Sequence, residues 1–126
     1  METPRTKKVI LVVEDAAASK EIFQIAIQNK DTELLVASDG AEGVRVAFDR
    51  RPDLILMDMM IPRLTGYQVA EQLKADPRTR HIPIVAVTAR ATEAEREKAR
   101  VAGCDDFVAK PFRLGEIREI VAKFLG

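Results

Sequence analysis

The stretch Asp53, Leu54, Ile55, Leu56, Met57, Asp58 decides the fold: four consecutive apolar residues stand between two aspartates. So short an unbroken apolar run reads as a strand covered on both faces, not as one that alternates between core and water. Asp58 then sits at the carboxyl end of a buried strand. A second such end lies upstream, where the run Lys8 to Val13 closes on Glu14 and Asp15. Carboxylates that end two buried strands meet at one rim of a sheet, and their repulsion is costly unless a cation, a proton or a phosphoryl group is handled there.

Three further runs read as strands: Glu33 to Ala37, Ile82 to Thr88 and Asp106 to Ala109. Between them lie helical stripes. Ala18, Ile22, Ile25 and Ala26 follow the first strand, and Ala41, Val44, Ala47 and Phe48 the second. Gly66, Val69, Ala70 and Leu73 give a third, stopped by Asp76 before Pro77. Leu114, Ile117, Val121 and Phe124 give the last. The fourth helix, Thr92 to Ala102, opens on what reads as a Thr92/Glu95 capping box, but its body is mostly Glu, Arg and Lys around Ala94, Ala99, Val101 and Ala102. Its apolar anchor is weak, so it is expected to be the least firmly docked. Gly103 reads as its C-cap.

Strict alternation of strand and helix predicts an α/β fold: a (βα)5 doubly wound, five-stranded parallel sheet with right-handed crossovers. Sheets of this kind bind ligands beyond the carboxyl ends of their strands, where strand order reverses. In the order 2-1-3-4-5 that point lies between the first and third strands, at Glu14, Asp15 and Asp58.

The chain has 126 residues, enough for one domain with a substantial core. No linker, repeat or low-complexity tract divides it, and the last helical stripe runs almost to Gly126, so one domain over 1–126 with no output domain is expected. The 20 basic and 20 acidic residues cancel, which gives no sign of direct nucleic-acid binding. Cys104 is the only cysteine, which excludes an internal disulfide and fits a reducing, cytoplasmic setting. The polar start Met1 to Lys8 and the early interruption at Glu14 argue against a signal peptide or membrane insertion.

The later strand ends complement the acids. The fourth strand finishes at Thr88, followed by the small Ala89, and the fifth leads to Lys110 before Pro111 and Phe112. Carboxylates, a hydroxyl and a lysine, with no histidine base or activated serine, suit phosphoryl transfer better than hydrolysis. Singly, each residue has a plainer reading. Asp15 reads as a helix cap, Thr88 as an ordinary strand end, Lys110 as a solvated lysine, and Phe107 as core filling; Asp53, Asp105 and Asp106 read as turns entering strands, and His81 as exposed. The joint placement favours the chemistry.

Val12, Val13, Glu14, Asp15, then Leu56, Met57, Asp58 with Pro62 and Gly66, then Val87, Thr88, Ala89, and finally Lys110, Pro111, Phe112 together resemble the receiver domain of two-component response regulators over nearly the whole chain. The resemblance implies a flavodoxin-like, CheY-like fold. It also implies that Asp58 is the phospho-acceptor, that Asp15 binds Mg²⁺ directly with Glu14 assisting through water, and that the backbone carbonyl of Met60 completes the protein ligands. Thr88 and Lys110 would hold the phosphoryl group, and Thr88 and Phe107 would carry the switch.

Met60 and Arg90, at positions where the family varies, would tune phosphate lifetime. The implied partners are a histidine kinase or histidine phosphotransfer protein and a downstream target protein. The module is then a switch rather than an enzyme, promoting only its own phosphorylation and dephosphorylation. Three other readings are weaker. A static interaction module would not need Glu14, Asp15, Asp58, Thr88 and Lys110 all in place. An aspartyl-phosphate phosphatase needs a second acid where Met60 stands, and a flavin protein needs a phosphate cradle where Glu14 to Ser19 is acidic and alanine-rich.

Overall fold

The computed structural model describes residues 7–126, and the first six residues of the polar start lie outside the described residues. Within that range five strands alternate with five helices: β1 (Lys8–Val13), α1 (Ala17–Ile27), β2 (Thr32–Ala37), α2 (Gly40–Arg50), β3 (Leu54–Asp58), α3 (Gly66–Ala75), β4 (Ile84–Thr88), α4 (Glu93–Ala102), β5 (Asp106–Ala109) and α5 (Leu114–Leu125). The strands are parallel in the order β2-β1-β3-β4-β5. Val13 pairs with Met57, Asp58 with Val87 and Thr88 with Ala109, which brings the carboxyl ends of β1, β3, β4 and β5 to one rim. No helix among the described residues is long and apolar enough to cross a membrane.

Every residue of β3 is buried because its alternate side chains feed opposite layers. Ile55 and Met57, with Leu11, Val13, Ile84 and Ala86, pack against Ala47 of α2, Val69, Ala70 and Leu73 of α3, and Ala99 and Ala102 of α4. Leu54 and Leu56, with Ile10, Val12, Val85 and Val87, pack against Phe23 and Ile27 of α1 and Ile117 of α5. Each fully buried Leu or Ile contributes roughly 1.5–3 kcal/mol by leaving water. The aspartates entering strands do more than mark turns. Asp53 Oδ2 accepts the Val9 N–H at 2.8 Å and Asp105 Oδ2 the Ile84 N–H at 2.9 Å, tying neighbouring strands at the amino-terminal rim.

Three local expectations are corrected. The core face of α1 centres on Phe23 and Ile27, with Ile22 and Ala26 of the expected stripe half-buried against the same cluster, whereas Ala18 is exposed and Ile25 is 56% exposed. The capping box at Thr92 is half made: the Glu95 N–H donates to Thr92 Oγ1 at 3.2 Å, but the Glu95 carboxylate turns away to Tyr67. The reciprocal box belongs to α3 instead, between Thr65 and Gln68 at 2.9 and 3.2 Å. Val101 gives α4 no anchor and is 71% exposed, leaving Ala99 and Ala102 as the buried residues of that helix. Gly103 ends α4 at φ 110°, a left-handed cap that glycine adopts without strain.

Candidate functional site

β1 and β3 are neighbours, so the two runs deliver their terminal acids to the rim where the sheet order reverses. Glu14 is fully buried, Asp58 is 8% exposed and Asp15 faces solvent. One carboxylate oxygen from each lies within 4.8 Å of the others. Asp15 does not cap α1: the N-cap is Ala16, which has no side-chain cap, and the Ala16 N–H donates to Glu14 Oε1 at 3.1 Å.

Lys110 answers the charge. It follows β5 directly, its N–H held by the Thr88 carbonyl at 2.8 Å, and a cis peptide joins it to Pro111. Its Nζ donates to Asp58 Oδ2 at 2.8 Å and to Glu14 Oε2 and Oε1 at 2.9 and 3.1 Å. Burial pushes the Glu14 carboxyl above its ordinary pKa; the Lys110 hydrogen bond opposes that rise and the charge of Asp58 adds to it. For Lys110, burial works against the charge, but its hydrogen bonds to Asp58 and Glu14 outweigh it and leave the pKa raised. The second Asp58 oxygen, Oδ1, accepts the Met60 N–H at 2.9 Å. These anionic oxygens, open to solvent on the Asp15 side, form the kind of donor set that a hard divalent cation such as Mg²⁺ prefers.

The loop beneath Asp58 is fixed by a close approach. Gly66 donates its N–H to the Met59 carbonyl at 3.1 Å, and a Cβ at position 66 would stand 2.6 Å from Met59 Cα, so α3 can start there only with glycine. Thr88 ends β4 almost fully buried, and its Oγ1 accepts the Arg90 N–H at 3.1 Å. Met60, 55% exposed, and Arg90 line an open cleft of about 390 Å³ together with Tyr67, Glu95 and Lys98. Phe107 stands apart from them. It is half-buried on β5, with the Arg96 guanidinium carbon 4.5 Å above its ring.

Glu14, Asp15, Asp58 and Lys110, which the sequence puts at strand ends, lie together in the fold, but the far wall of the cleft was not foreseen. There Tyr67 of α3, 7% exposed, donates its hydroxyl to Glu95 Oε2 of α4, and Lys98 Nζ lies 4.2 Å above its ring. The available signal was the tyrosine itself, since a buried phenol needs a partner for its hydroxyl.

The chain matches the family model of the response regulator receiver domain over residues 10–122. The polar-differentiation response regulator DivK of Brucella anthropi is 35% identical over 119 residues, covering 94% of this chain and 97% of DivK. Among solved structures, the receiver domain of the sensor histidine kinase PA1611 from Pseudomonas aeruginosa, with a magnesium ion coordinated in its active-site cleft, superposes with a TM-score of 0.85 at 33% identity, covering 94% of this chain and 97% of that one. The chemotaxis response regulator CheY4 of Vibrio cholerae, at 22% identity, shares the fold with a TM-score of 0.88 over 95% of this chain and all of its own. With its sheet order, its strand-end acids and these relatives, the chain belongs to the response regulator receiver family of two-component signalling.

Proposed function

We propose that Asp58 accepts a phosphoryl group from a phosphohistidine on a histidine kinase or histidine phosphotransfer protein. The observation that carries this reading is the Lys110 ammonium shared between two buried carboxylates, with a third acid within 4.8 Å. A carboxylate oxygen of Asp58 attacks phosphorus, the phosphorus–nitrogen bond breaks, and the imidazole nitrogen leaves with the electron pair. Glu14, Asp15, Asp58 and the backbone carbonyl of Met60 are the protein groups that would hold Mg²⁺. Bound there, the ion would offset the charge on the phosphoryl oxygens. The magnesium ion in the PA1611 receiver supports this assignment by likeness.

Lys110 already binds Asp58 Oδ2, so its charge can follow the phosphoryl oxygens outward. Phosphorylation adds roughly 1 to 2 negative charges and several strong acceptors. The Thr88 hydroxyl can then donate its proton to a phosphoryl oxygen while its Oγ1 still accepts the Arg90 N–H, so turning toward the phosphoryl group draws the 89–91 segment along. Phe107 repacks beside the displaced loop and alters the face made by α4, β5 and α5, where a downstream target protein docks. Met60 and Arg90, at the mouth of the cleft, govern access of water to the phosphoryl group. We place this exchange in the cytosol, where the lone Cys104 stays reduced.

The test is intact mass after incubation with phosphoramidate, a small donor with the same phosphorus–nitrogen bond, with and without Mg²⁺. One phosphoryl group per chain, dependent on Mg²⁺ and missing from Asp58→Asn, is the expected result. A phosphoramidate-treated protein of unchanged mass that also fails to bind beryllium fluoride with Mg²⁺ contradicts it.

A further inference from the structure

α4 is held on its α3 side by polar ties more than by apolar burial. Its buried residues are Ala99 and Ala102, while Tyr67 of α3 reaches across to both Glu95 and Lys98 of α4. Tyr67 itself cannot shift easily. It follows Gly66, which is pressed against Met59, and its helix buries Val69, Ala70 and Leu73 completely. Glu95, by contrast, is coupled to the switch loop: its N–H is bonded to Thr92 Oγ1, and Thr92 stands two residues beyond Arg90, whose N–H is bonded to Thr88 Oγ1. Motion of Thr88 toward Asp58 would therefore pass to Glu95 through the loop and the helix cap, with Tyr67 anchored on α3.

We infer that the Tyr67 hydroxyl and the Glu95 carboxylate form a latch that holds α4 in its unphosphorylated position and opens when Asp58 is phosphorylated. This rests on the reading of Asp58 as phospho-acceptor. Tyr67 and Glu95 are positioning residues: they touch neither phosphoryl group nor metal, but the strength of their bond sets how readily the domain switches. Lys98, above the ring, reinforces the latch from the same face of α4. Weakening the bond removes support from the unphosphorylated state alone, so the phosphorylated state gains by difference.

Tyr67 is the only tyrosine and the chain has no tryptophan, so intrinsic fluorescence reports this one phenol. A phenol bonded to a carboxylate is quenched, and release raises its emission. The full chain is titrated with beryllium fluoride in the presence of Mg²⁺, which builds a phosphoryl mimic on a carboxylate, and binding is followed in parallel by calorimetry. In the unaltered protein emission rises as the mimic binds. In Glu95→Ala emission starts high and stays there. Glu95→Ala and Tyr67→Phe both bind the mimic about tenfold more tightly, the scale of losing one charge-assisted hydrogen bond from the competing state.

A bond of merely structural value would lower resistance to urea without tightening binding. Calorimetric binding with unchanged emission, or variants that bind no more tightly, overturns the latch and leaves the acceptor reading standing. Absence of binding overturns both. Tyr67→Phe keeps the ring and its packing, so the tightness comparison survives if Glu95→Ala folds poorly.

Discussion

Lys110 Nζ lies 2.8 Å from Asp58 Oδ2, with side chains only 18% and 10% exposed, and the same ammonium is shared with Glu14. One cation thus stabilises two carboxylates that burial would otherwise penalise. Lys110→Met keeps most of the stem and removes the charge. It should cost about 2–4 kcal/mol in urea unfolding without Mg²⁺, near the range for breaking a buried pair. The loss should shrink when Mg²⁺ is added. A variant as stable as the parent in metal-free buffer would show that the pairing matters little.

Mg²⁺ should stabilise the fold through the same acids. At about a hundred times its Kd a ligand confined to the native state adds about 2.7 kcal/mol. Thermal unfolding with and without the ion reads this directly. The gain should fall sharply in Asp58→Asn and Glu14→Gln, because each removes one of the three clustered carboxylates. An equal gain in all three proteins would place the ion elsewhere.

Tyr67 makes alkaline stability predictable in sign. Burial, with the Glu95 hydrogen bond and charge adding to it, pushes the phenol from 10.0 to about 12. Between those values the unfolded chain gives up this proton first, so the stability it confers is complete below 10.0 and is lost as pH rises toward 12. Phenolate absorbance of the native protein should titrate near 12, and lower in Glu95→Ala. Native titration at the ordinary value would show the hydroxyl to be free.

Gly66→Ala should be destabilising by about 1–3 kcal/mol, since the new methyl would stand 2.6 Å from both Met59 Cα and Met59 Sδ, against backbone that cannot yield. Chemical denaturation measures it. A neutral result would mean that the loop below Asp58 relaxes freely.

Much of this was legible in the sequence. The unbroken apolar run before Asp58 announced a strand buried on both faces, and five alternations of strand and helix settled the sheet type. The acids and Lys110 were readable because strand ends place side chains at a rim whatever the details of packing. What escaped depended on which way helices face. In α1 the core face centres on Phe23 and Ile27 and leaves Ala18 and Ile25 of the stripe exposed, a choice that spacing alone does not resolve. Glu95 fits the pattern of a capping box three residues after Thr92, yet a buried phenol from another helix offers its carboxylate a stronger partner than an exposed N–H does. Tertiary contacts made that choice, and no local motif carries it.

In the proposed function the carboxylate of Asp58 receives the phosphoryl group with the help of Mg²⁺. The most direct measurement treats the phosphorylated protein with borohydride, which reduces an acyl phosphate to an alcohol, and then sequences the peptides by tandem mass spectrometry. Homoserine is expected at position 58, dependent on both donor and Mg²⁺. Reduction at Asp15 or another acid, or a label formed equally well without Mg²⁺, would contradict it.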